Sequence, residues 1–263
     1  VKSRRLFASL AFFAATFAGG LQAADPAPPA SLSIAAAANL VYALDALDSE
    51  YNKGAPYVKV TTATGASGNL VAQIKNGAPY DVFLSADVDF PRALIGAGQA
   101  DGKTLITFAV GRLVLWTTRA DLDVSDIKAA VRSPLVRKLA IANVTSAPYG
   151  RASKEAMERM GVWADAQPKL VVGENISQTA QFVETGNADA GFAALSLVLS
   201  PKLKEKGRWT EVPKGMYSAL DQGAVVTAHG AKNPAAQGYV DFLKSPAAHH
   251  ILEAYGYGFP PSD

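Results

Sequence analysis

Cysteine is absent from this chain of 263 residues. No disulfide can brace it and no thiol near the N-terminus can carry a lipid anchor, so the folded state rests on its core alone. Histidine is almost absent: His229, His249 and His250 are the only three. The adjacent pair falls on a helix near the C-terminus, where consecutive side chains face different directions, a poor arrangement for a metal. Charge is sparse, at 18% of residues with a formal net of +2. Lys2, Arg4 and Arg5 supply that excess. Beyond them 22 Lys and Arg face 23 Asp and Glu, a balance near −1. No basic cluster remains for nucleic acid. Long apolar runs are missing too, except Leu6 to Phe17, which is short for a membrane span. Its basic start and the small residues around Leu21-Gln22-Ala23-Ala24 mark residues 1–24 as a signal peptide, cleaved after Ala23 or Ala24. Export is therefore expected.

Catalytic motifs are wanting as well. Gly65-Ala66-Ser67-Gly68 is not a nucleophile elbow, because its second Gly comes one residue early. Gly98 to Thr104 approaches a phosphate-binding loop, but Ala97 stands where the first Gly belongs, and a polar turn accounts for it. A secreted hydrolase using Ser67 would need a base, and no His lies near it in sequence.

What the chain does have is a 49% hydrophobic share and a regular alternation of strands and helices. Thr61 to Asp87 shows the unit best. A strand enters through Val58, Val60 and Thr62, a turn without bulk follows, and Leu70, Val71 and Ile74 recur at helical spacing. Val82 to Leu84 then forms a short buried strand. Ser67 is expected to cap the helix, at a mouth whose free N–H groups and partial positive charge suit an anion. Three other places repeat the pattern. Leu32, Ile34 and Ala36 lead into Asn39, the expected cap of a helix carrying Leu40, Leu44, Leu47 and Tyr51. Leu139 to Ala142 leads to Tyr149, at the mouth of a helix beginning near Gly150. Leu170 to Val172 leads through Asn175 to Ile176, with Gln178 placed for a capping box.

Further strands are expected at Leu113 to Trp116, Asp189 to Ala193 and Gly223 to Ala228, with no repeat of fixed period. The class is α/β with mainly parallel sheets. Ligands of such sheets bind beyond the carboxyl ends of the strands. Two facing lobes would place all four helix mouths around one cleft. The mouths offer N–H groups, hydroxyls and amides, with no Lys or His at them. Donors alone suit an anion without protons. Hydrogen phosphate would also need an acceptor, and only Glu174 stands near.

Several of these segments resemble the periplasmic molybdate-binding proteins of ABC transporters, a family of two-lobed solute receptors. The matching residues are Ala35 to Leu40, the Ser67 turn with Leu70 and Gln73-Ile74, Gly77 to Asp87, Pro148-Tyr149-Gly150, Lys154-Glu155-Ala156, Gly186 to Gly191 and Tyr255-Gly256. The resemblance spans about Ser31 to Phe259, and Gly77 to Asp87 is its most specific part. It implies a two-lobed periplasmic binding protein fold, each lobe a mainly parallel sheet flanked by helices, with the ligand in the interlobe cleft. Lobe 1 would comprise residues 31–109 and 222–263, and lobe 2 residues 110–221.

Carried over by position, the oxyanion ligands would be Asn39, Ser67, Tyr149 and Ile176, with Ala38 adding a backbone N–H. Many members end the Gly191 strand with a Tyr that reaches the anion; here Ala194 stands there, and Tyr149 matches members that carry the Tyr at its position instead. The implied function is capture of molybdate or tungstate and delivery to a membrane permease. It implies no catalysis and no cofactor, and a monomer that binds no nucleic acid. A receptor for sulfate, phosphate or a small carboxylate is the alternative of the same fold, and a secreted serine hydrolase the distant one.

Overall fold

The computed structural model describes residues 30–260. The expected signal peptide over residues 1–24 lies outside the described residues. Among the described residues no helix is long and apolar enough to cross a membrane.

The chain begins with β1 (Ala30–Ala37), β2 (Val58–Gly65), β3 (Val82–Ser85) and β4 (Ile106–Gly111), joined by α1 (Leu44–Gly54), α2 (Ser67–Lys75) and α3 (Asp89–Gly96). After Arg112 it enters a second sheet made of β5 (Leu113–Thr117), β6 (Leu139–Ala142), β7 (Leu170–Gly173), β8 (Ala190–Ala194) and β9 (Arg208–Glu211). The helices of that lobe are α4 (Ile127–Arg132), α5 (Pro148–Arg159), α6 (Trp163–Ala166), α7 (Ile176–Glu184) and α8 (Leu195–Val198). The chain returns to the first sheet as β10 (Leu220–Val226) and closes with α9 (Pro234–Phe242) and α10 (Pro246–Ala254).

Strand order is β2-β1-β3-β10-β4 in the first sheet and β7-β6-β8-β5-β9 in the second. Three strands of each sheet pair in parallel, and the remaining two pairings are antiparallel. The sheets are thus mixed, with β10 and β5 each running against the other four strands. The lobes share one topology although no sequence repeat relates them. The chain crosses between sheets at Arg112 and between Glu211 and Leu220, so the expected divisions at 109/110 and 221/222 fall inside β4 and β10.

Period-two alternation sorts the first sheet's side chains onto two faces. Ile34 and Leu84 join Leu47, Tyr239 and Leu252 under α1, α9 and α10. Ala35 and Phe83 face the other way, onto Leu70, Ile74 and Leu94 of α2 and α3. The core of the second lobe is centred on Trp116, Ile141, Met157 and Phe192, and it takes in Ala37, Ala38, Ala66 and Ala86 from the first lobe. The two lobes therefore pack against each other through small residues at the strand ends.

Three local expectations are corrected. Asn39 does not cap a helix; it sits in a short 3₁₀ turn, Ala38–Leu40, and α1 begins only at Leu44. The cause is visible at its carbonyl. Asn39 O accepts from Ser196 Oγ (2.8 Å) and Tyr257 Oη (3.0 Å), and the N–H of Ala43 turns to Leu40 O instead. The pattern Leu40, Leu44, Leu47, Tyr51 still marks a buried face. Ser67 is not the cap of α2 either: Ala66 holds that position, and Ser67 is the first helical residue. At α5 the helix starts at Pro148, two residues before Gly150, and so includes Tyr149. Strands β4 and β9 carried no clear sequence signal; β9, Arg-Trp-Thr-Glu, is a polar edge strand with no fully buried residue.

Candidate functional site

A small cavity lies where the lobes meet, at the carboxyl ends of the parallel strands. The first lobe lines it with Ala37, Ala38 and Asn39 after β1, Gly65 to Ser67 after β2, and Ala86 after β3. The second lobe adds Ala147 to Tyr149 at the start of α5 and Asn175 with Ile176 at the start of α7. All five residues expected to bind the oxyanion, Ala38, Asn39, Ser67, Tyr149 and Ile176, are brought together here, each at most 3% exposed. The cavity is about 10 Å³, far below the roughly 300–1,000 Å³ of sites for drug-sized molecules. No Asp, Glu, Lys, Arg or His lines it. Among the described residues no cluster of three or more His, Asp or Glu could hold a bare metal ion.

Each helix mouth hides all but a few of its donors. At α7 the Asn175 side chain accepts from Ser177 N and Gln178 N, both at 3.0 Å, which leaves the N–H of Ile176. Gln178 does not complete a capping box onto Asn175; its Oε1 accepts from Glu174 N at 2.6 Å. At α5, Pro148 has no N–H, and Gly150 N and Arg151 N both bond Ala147 O, which leaves Tyr149 N–H. At α2, Gly68 N donates to Ser146 O (2.8 Å) and Leu70 N to Ala66 O (3.1 Å), which leaves Ser67 N–H at the pocket. At the pocket, the backbone N–H groups of Ser67, Tyr149 and Ile176 have no partner among the described residues.

Two hydroxyls add to them. Ser67 Oγ accepts from Ala86 N at 3.1 Å, so its own proton is free to be donated elsewhere. Tyr149 is 1% exposed, and its hydroxyl has no partner among the described residues. Burial pushes its pKa well above the ordinary phenol value, with Tyr257 and Tyr217 adding to the shift, so it stays a donor. A buried hydroxyl with nothing to bond is rare in native structures and calls for a ligand or a water.

Asn39 contributes differently. Its Nδ2 donates to Gln222 Oε1 and Tyr257 Oη, both at 2.8 Å. Gln222 Nε2 in turn donates to Ala86 O (3.1 Å) and Leu220 O (2.7 Å), which fixes the direction of both amides. Both Asn39 N–H hydrogens are taken, and Oδ1 is left without a partner among the described residues. The side chain therefore has no donor left to offer.

Charges bracket the pocket without entering it. Asp87, 3% exposed, pairs across the cleft with Arg151 (2.8 Å) and accepts from Phe90 N. Asn69 Nδ2 of the first lobe donates to Glu174 Oε1 of the second at 3.2 Å. Glu174 thus lies over the cleft rim, held by the facing lobe. Sequence reasoning missed the Asp87–Arg151 pair and the Gln222–Tyr257 bracket. For Gln222 the available signal was a lone amide at the head of an apolar strand.

Residues 32–258 match the family described as bacterial extracellular solute-binding protein. This chain is a member of that family. It is 39% identical over 232 residues to molybdate-binding protein ModA of Azotobacter vinelandii, covering 88% of this chain and 91% of that protein. It is 45% identical over 198 residues to the protein of the same name from Rhodobacter capsulatus, covering 75% and 77%. A solved structure, the Azotobacter vinelandii periplasmic molybdate-binding protein, matches with a TM-score of 0.82 at 32% identity, over 87% of this chain and 99% of that one. The resemblance first carried by Gly77 to Asp87 and the helix mouths thus extends through the whole two-sheet fold. Membership in the family places the protein outside the cytoplasm as a solute-binding protein.

Proposed function

We propose that this protein captures molybdate, and tungstate with it, as an intact oxyanion and presents it to the membrane permease of an ABC transporter. The observation that carries the reading is the convergence of unpaired donors in a pocket with no charged lining. The backbone N–H groups of Ser67, Tyr149 and Ile176 and the hydroxyl of Ser67 belong to residues lining one small space, and the buried Tyr149 hydroxyl is a further unpartnered donor on a lining residue. We assign Asn39 and Ala38 a backbone role. Sequence likeness to proteins named for molybdate supports the choice of anion.

The reading includes no catalysis and no cofactor. Nothing lining the pocket could take the Ser67 proton, which disfavours the hydrolase. It also includes removal of residues 1–24 on export to the periplasm, a monomer, and no nucleic-acid partner. Sulfate shares the charge of molybdate and its lack of protons, so rejection of sulfate must come from size. A smaller anion cannot touch the mouths of both lobes at once. Each charge-assisted bond contributes about 1.5–3 kcal/mol, so losing two weakens binding by roughly two orders of magnitude or more. Calorimetry with molybdate, tungstate, sulfate and phosphate tests this; equal affinities for sulfate and molybdate would sink the reading.

A further inference from the structure

We propose that Gln222 is a positioning residue for this anion site: it fixes the Asn39 and Ala86 loops to each other and, through Ala86, sets the hydroxyl of Ser67. The proposal rests on the molybdate reading above. Gln222 is 0% exposed and does not line the pocket. It lies on β10, where the pairing with β4 shifts register between Gln222 and Gly223. The extra residue of that irregularity is Phe108 of β4. Period-two alternation puts the Gln222 amide on the same face as Leu220 and Ala224, a polar group on a strand that is otherwise mostly apolar.

The bonds of that amide run to both first-lobe loops. Nε2 donates to Ala86 O, and Oε1 accepts from Asn39 Nδ2. The N–H of the same Ala86 donates to Ser67 Oγ. With that oxygen engaged as an acceptor, the Ser67 proton is directed away from Ala86. Gln222 also lies near a side chain of the second lobe. A Cβ on Gly111 would collide with both Gln222 Nε2 and Tyr149 Oη, so the amide and the phenol sit side by side over that glycine. One buried side chain thus registers two loops of the first lobe and lies close to the Tyr149 hydroxyl of the second.

The test is a double-mutant cycle read by molybdate calorimetry. Gln222→Met keeps the length and removes the amide, and affinity is expected to fall about ten-fold or more. In a Ser67→Ala background the same change is expected to weaken binding about three-fold or less, because a group it positions is already gone. A residue that only supports the fold would weaken binding by the same factor in both backgrounds, and equal factors overturn the proposal. Should the methionine variant fail to fold, Gln222→Glu serves. Un-ionised, the introduced carboxyl still donates to a carbonyl and accepts from Asn39. Ionised, it still accepts from Asn39 but has no proton to donate to Ala86 O, and it repels the dianion. Its affinity for molybdate is expected to fall between about pH 6 and about pH 9 while the parent's stays level; a level profile for the variant overturns the proposal. If the parent prefers sulfate, the molybdate reading fails alone and the same cycle is run with sulfate. A parent that binds no tetrahedral oxyanion defeats both.

Discussion

The two lobes reach the same pocket by different means. The second lobe presents bare helix mouths, and the donors left over there are settled by three or four consecutive residues. Pro148 and Gly150 isolate Tyr149 N–H; Asn175 covers Ser177 and Gln178 and isolates Ile176 N–H. The first lobe presents loops held from behind by distant parts of the chain. Asn39 is bonded to residues 183 and 218 positions away, Gln222 and Tyr257. One half of the site is thus written locally, the other only in the tertiary fold. The second half should fail when its backbone is displaced. The first should fail when its supports are removed.

The severest way to break that contrast is at Gly150. A Cβ there would stand 2.4 Å from Ala142 O and 2.5 Å from Asn143 O, both backbone atoms that cannot rotate away. Gly150→Ala must push α5 off β6, with an expected stability loss of about 3 kcal/mol. Molybdate binding should weaken by about two orders of magnitude or more, since two donors move with the helix. Thermal denaturation and calorimetry check both, and intact binding would mean that α5 does not read the anion. Next is Tyr149→Phe, expected to lose about 1.5–3 kcal/mol of binding. Because the hydroxyl has no partner among the described residues, thermal stability without ligand should hold or rise slightly. Parent-like binding would leave only the backbone N–H in the site. The smallest effect is expected for Ser67→Ala, about ten-fold in affinity. Unlike the tyrosine change, it should also lower stability without ligand, because Ala86 N–H loses its acceptor. If both variants behave alike in that respect, the contrast between braced and bare halves does not hold.

The same contrast explains what could be read from the sequence. The α/β class, eight of the ten strands, and a meeting of Ser67, Tyr149 and Ile176 followed from spacing, caps and breakers, all local signals. What stayed hidden depended on partners far along the chain. Asn39 looked like a cap because Asn favours that position, but its carbonyl is claimed by Ser196 and Tyr257 and its amide by Gln222. Ser67 looked like a cap for the same reason, yet its oxygen serves the next loop. The shared topology of the sheets left no trace either, since the alternation of strand and helix does not say which strand is reversed.

One cross-cleft contact has a different kind of consequence. Gly68 N bonds Ser146 O, peptide group to peptide group, between the lobes. No codon at position 146 can delete that carbonyl. At position 68 a Cβ would come within 3.0 Å of Ser146 Cα and of the Phe90 ring, so glycine fits and larger residues crowd. The tie that joins the halves is therefore nearly invisible to mutation at one end and fixed to one residue at the other. A lineage could exchange pocket side chains and drift towards a new anion while inheriting this clasp unchanged.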